Sequence, residues 1–64
     1  MSTQQMIATV EKSIAEKTEA VNQIMAEALG AGETPNEEQE TRIKALEAET
    51  AVLETNLERL KKIQ

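Results

Sequence analysis

The chain has 64 residues, seven of them basic and twelve acidic, for a net charge of −5, and it contains no Cys, His, Asp, Phe, Tyr or Trp. Its length allows one small domain, near the size at which a single core becomes marginal. The acidic balance repels phosphate and no ring is present to stack on a base, which argues against nucleic acid as a partner.

All acidic residues are Glu, which suits helix interiors better than Asp, and apolar bulk must come from aliphatics and nine alanines. That composition favours a long, thin helical object. In the first half, Ile7, Val10, Ile14, Val21, Ile24 and Ala28 recur at steps of 3, 4, 7, 3 and 4. This is heptad spacing, with one polar gap at Lys17, and it predicts a helix over about 3–29.

Leu29 closes that pattern, and both glycines and the only proline follow within Gly30, Gly32 and Pro35. Gly30 stands where a left-handed residue usually ends a helix. The stretch Thr34-Pro35-Asn36-Glu37 reads as a capping box, with Thr34 as N-cap, Pro35 at the first helical position and Glu37 three residues after the cap. A turn over 30–34 is therefore expected. A phosphate-cradling loop would need a preceding strand and a third glycine, and a flexible linker would carry more Gly and Ser and no cap.

The second half repeats the stripe, with Ile43, Leu46, Leu53, Leu57 and Leu60 at steps of 3, 7, 4 and 3 and a polar gap at Thr50. A helix over about 35–63 follows, with Glu33, Glu37, Glu38 and Glu40 crowding its start and Arg59, Lys61 and Lys62 its end, as the macrodipole prefers. Glu38 with Arg42, Glu40 with Lys44 and Glu58 with Lys62 are spaced as i,i+4 pairs. Two matched stripes predict an all-α fold, a two-helix antiparallel coiled-coil hairpin occupying 1–64 as one unit. Folding about Gly32 would set Ile7 against Leu57, Val21 against Ile43, Ile14 against Thr50 and Lys17 against Glu47.

So narrow a seam makes a lone hairpin marginal, because ordering the whole chain costs more than about a dozen half-buried aliphatics return. Met6, Met25, Leu29, Val52 and Ile63 fall off the seam and read either as scattered surface apolars flanking the stripe or as a second face. Self-association into a four-helix core is the expected use of that face. The final Leu-Glu-Arg-Leu-Lys-Lys-Ile-Gln stops with the heptad still running, which reads as an N-terminal segment of a longer chain.

Catalysis has little to draw on. Without His, Cys, Asp or Tyr a catalyst would need Glu, Lys, Ser or Thr in a pocket, and a two-helix rod has no concave site to desolvate them. The Glu37, Glu38 and Glu40 cluster lacks the His, Cys or Asp of tight metal sites. The expectation is a protein that is not an enzyme and takes no metal or cofactor. No apolar run approaches the ~20 residues of a membrane span. The start lacks the basic and apolar regions of a secretory signal, so cytoplasm is the default compartment.

From Thr34 to Gln64 the sequence resembles the end of the N-terminal delta domain of HK97-type phage major capsid proteins. There a Glu-rich start leads into spaced Leu and Glu and closes on an Arg-Leu pair. The matching residues are Thr34, Glu37, Glu38, Leu46, Glu49, Leu53, Leu57, Arg59 and Leu60, and the layout of the first helix and turn is similar. The resemblance covers residues 5–62 and rests on a low-complexity coiled-coil motif. It implies a built-in scaffold that clusters shell subunits inside the procapsid, within the host cytoplasm, and that a prohead protease removes at or beyond Gln64. The chain would then bind itself and other capsid subunits, and neither nucleic acid nor membrane. The shell fold itself is missing. A rival reading is an unrelated adaptor whose hairpin accepts a partner helix; a remoter one is an acidic DNA-mimicking inhibitor, against which the interleaved Lys and Arg argue.

Overall fold

Helix formation begins at Ser2, whose extended backbone and free hydroxyl suit an N-cap. Its Oγ accepts from the Gln5 N–H at 3.1 Å while Gln5 Oε1 accepts from the Ser2 N–H at 2.8 Å, a reciprocal box that satisfies two donors the helix leaves open. From there the computed structural model, which describes all 64 residues, runs as α1 over Thr3–Gly30. Ala31 caps the helix at φ −89°, and Gly32 turns the chain at φ +78°, the only positive φ in the protein. The Gly32 N–H donates to the Leu29 carbonyl at 3.0 Å and the Glu33 N–H to the Ala28 carbonyl at 2.9 Å. That pair of bonds is a Schellman motif.

The left-handed residue is thus Gly32 and not Gly30, which stays helical. Ala31 fills the cap position at an ordinary φ, whereas an L side chain at Gly32 would bring its Cβ against the following carbonyl.

The second helix also starts later than its proline suggests. Asn36, at φ −78° and ψ −179°, is the N-cap of α2, which spans Glu37–Ile63. Asn36 Oδ1 accepts from the Gln39 N–H and Gln39 Oε1 from the Asn36 N–H, both at 2.8 Å. Thr34 is therefore not the cap, Pro35 precedes the helix instead of opening it, and Glu37 is its first residue. Two overlapping boxes are spelled in Thr34-Pro35-Asn36-Glu37-Glu38-Gln39. The later one places Glu37, Glu38 and Glu40 in the first turn, where the dipole favours all three. The connection consequently runs from Ala31 to Asn36.

Along α1 the half-buried positions Thr3, Ile7, Val10, Ile14, Lys17, Val21 and Ile24 lead to buried Ala28. Along α2, Gln39, Ile43, Leu46, Thr50, Leu53, Leu57 and Leu60 do the same, Ile43 and Leu46 being buried. Steps of three and four alternate without a break, so each stripe is a continuous coiled-coil seam. The helices pack against each other as an all-α antiparallel hairpin, a rod measuring 45 × 15 × 15 Å.

Taken in order from the turn, the seam sets Ala28 level with Gln39, Ile24 with Ile43, Val21 with Leu46, Lys17 with Thr50, Ile14 with Leu53, Val10 with Leu57 and Ile7 with Leu60. The Lys17–Glu49 ion pair at 3.6 Å and the depression shared by Val21, Glu47 and Thr50 agree with this register. It differs by three residues from a fold about Gly32, because the chain reverses midway along Ala31–Asn36, between Glu33 and Thr34.

Candidate interaction surface

The shifted register brings the two polar interruptions, Lys17 and Thr50, into one layer near the middle of the seam. Thr50 Oγ1 donates to its own helix at the Leu46 carbonyl, 2.9 Å away, so its hydroxyl needs nothing from α1. The Lys17 side chain, 27% exposed, lays its stem along the seam and sends Nζ to Glu49 Oε1, not to Glu47. A lysine placed one heptad away would meet aliphatic side chains instead, so this layer penalises other registers, as single polar seam residues do in coiled coils.

Both ion pairs in the structure cross between the helices: Lys17 with Glu49, and Lys61 Nζ with Glu11 Oε2 at 4.0 Å. None of the three expected i,i+4 pairs closes. Their side chains are exposed, and an exposed pair gains too little to hold two long side chains together.

The plane through the two helix axes divides the remaining surface into two faces. One is marked by the Lys17–Glu49 pair and a shallow depression lined by Ser13, Lys17, Glu49, Val52 and Leu53. Heptad periodicity adds Met6 and Ala20 on either side of Ser13, and Ala45 and Arg59 on either side of Val52. The other face carries the Glu11–Lys61 pair and a depression lined by Thr18, Val21, Asn22, Glu47, Thr50 and Glu54. Met25 and Leu29, one heptad beyond Thr18 and Asn22, share it.

The five apolar residues expected off the seam therefore do not form one patch. Met6 is half-buried, widening the α1 stripe together with Ser13 and Ala20. Val52 and Ile63, 62% and 69% exposed, belong to the Lys17 face. Met25 and Leu29, 39% and 52% exposed, lie on the Glu11 face near the turn. The surface depressions are open to solvent, and the largest is lined by Glu37, Glu38, Thr41, Arg42 and Ala45 of α2 alone. No three carboxylates converge as a cation site, and no helix is long and apolar enough to cross a membrane.

The geometry offers two long faces, and the depressions on them are open to solvent. No family model, curated protein or solved structure matches the chain.

Proposed function

We propose that the hairpin is a non-catalytic association module, acting as a built-in scaffold that clusters HK97-type shell subunits inside a procapsid. The observation that carries the association reading is the thinness of the core. Ala28, Ile43 and Leu46 are the only buried residues, while Val52 and Ile63 stand largely in solvent. A two-helix rod this sparsely buried gains most by laying a face against another helix pair.

The client is assigned from the delta-domain resemblance of Thr34–Gln64. On that reading the partners are further copies of the chain and other capsid subunits, and a prohead protease cuts the module away. An acidic rod also suits the interior of a shell that later fills with DNA, since like charge discourages retention.

Sedimentation equilibrium combined with circular dichroism on dilution tests the association step. The expected result is a mass above monomer that falls on dilution, with helicity falling alongside it. A monomer with concentration-independent melting overturns it. The client is tested genomically: a shell domain encoded directly downstream, beside portal and protease genes, supports the scaffold, and its absence there removes it.

A further inference from the structure

Resting on the association reading, we propose that a second copy of the chain docks on the Lys17 face, with the two α2 helices antiparallel about a two-fold axis beside Ala48 and Glu49. One row of α2 points to this arrangement. Glu38, Ala45, Val52 and Arg59 lie one heptad apart along this face. Reversing the row about its midpoint places Glu38 opposite Arg59 of the second copy and Ala45 opposite Val52, each pair occurring twice. An isologous interface requires this kind of self-complementarity. Small against β-branched lets the helices approach closely, and acid against base closes both ends of the contact.

The charge nearest the axis is Glu49, and its own Lys17 at 3.6 Å offsets it. On the Glu11 face the corresponding outer row of α2 is Glu37, Lys44, Ala51 and Glu58, whose reversal sets Glu37 opposite Glu58 at both ends, and the row beside the seam adds Glu40, Glu47, Glu54 and Lys61. Two such faces would meet acid on acid, which disfavours that mode by repulsion.

The antiparallel arrangement also lays the turn end of one hairpin, where its only buried residues sit, over the sparsely buried open end of the other. It brings Ile63, 69% exposed, toward the Pro35 region of the second copy. A face 45 Å long and two helices wide is comparable to the ~800 Å² per partner of a standard interface.

The test uses two full-length variants, Arg59→Glu and Glu38→Arg. In either variant alone both end contacts become like-charged, and dimer dissociation should rise at least about tenfold. Mixed in equal amounts, the variants form a heterodimer in which each end sets an acid of one variant against a base of the other. Both end contacts are then attractive, and sedimentation should show association restored. Each reversal also sits poorly with the macrodipole, so the mixture at matched helicity carries the decision. Leu29→Glu, on the opposite face, should leave association unchanged.

If the wild type associates but the mixture does no better than its components, or Leu29→Glu abolishes association, this face is wrong and self-association stands. A wild type that stays monomeric overturns the association reading and this face with it.

Discussion

At the turn end of the hairpin, Ala28, Ile43 and Leu46 are 5%, 6% and 4% exposed, and a Schellman motif and an Asn36–Gln39 box tie down the backbone on either side of the connection. At the open end the same kinds of residue, Ile7, Val10, Leu57 and Leu60, remain half-buried, while Met1 and Ile63 are 86% and 69% exposed. Both ends follow one heptad rule, so the hydrophobic pattern does not account for the contrast. Near the turn, a short connection holds the helices together and two cap motifs fix the entry and exit directions. Toward the termini, contact depends on the seam alone, flanked by one exposed ion pair, Glu11–Lys61. Closure by the chain itself stabilises what lies beside it, and its influence fades along a rod.

Deleting equal bulk at the two ends should separate them most. Leu46→Ala should cost about 2–5 kcal/mol, as buried Leu truncations do, and a hairpin this sparse should largely unfold. Leu60→Ala, at a half-buried position, should cost distinctly less. Urea melts followed by circular dichroism measure both, and equal losses would show the two ends to be alike.

The glycines give the next largest contrast. Gly32→Ala forces an L residue into the left-handed region and should destabilise by roughly 1–2 kcal/mol. Gly30→Ala should instead stabilise by about 0.5–1 kcal/mol, since Gly30 is helical and an added Cβ there meets nothing within 4 Å. Opposite signs in thermal melts would assign the two roles, and equal signs would undo the assignment.

The caps come next. Asn36→Ala should cost about 1 kcal/mol and Thr34→Ala less than about 0.5 kcal/mol, measured in the same way. The reverse order would return the N-cap to Thr34.

Smallest of all are the ion pairs. Glu49→Gln should cost less than about 1 kcal/mol, because its partner Lys17 is only 27% exposed while Glu49 itself is 55% exposed. Glu11→Gln should be close to neutral, its 4.0 Å pair with Lys61 lying in solvent on both sides. A larger loss at Glu11 would place the stronger clasp at the open end.

Much of this architecture is legible in the residues. The alternating three- and four-residue steps from Ile7 to Ala28 and from Ile43 to Leu60 predict two helices facing each other, because that period admits one continuous stripe and no strand. The box at Ser2 and Gln5 obeys the rule used for the second helix, and its signal is plain in Ser-Thr-Gln-Gln. The turn is harder to read, since two capping boxes overlap and two glycines stand two residues apart. Spacing alone does not say which of each the backbone uses, and the ranking of Asn above Thr as an N-cap favours Asn36 only modestly. The register inherits that ambiguity, and moving the reversal point from Gly32 to between Glu33 and Thr34 shifts every layer by three residues. The division of Met6, Val52 and Ile63 from Met25 and Leu29 depends on which flank of α1 meets which flank of α2. That becomes visible only once Lys17 is seen against Glu49 and Glu11 against Lys61.

The turn end is thus closed by its own chain, whereas on the proposed association the open end is the part that gains most from a neighbour. Amide hydrogen exchange, resolved by residue and followed across protein concentration, addresses this most directly. Protection around Ala28, Ile43 and Leu46 should fall least on dilution, while protection from Ile7 to Ile14 and from Leu53 to Leu60 should fall most as the second copy leaves. Uniform protection along both helices that ignores concentration would contradict the account.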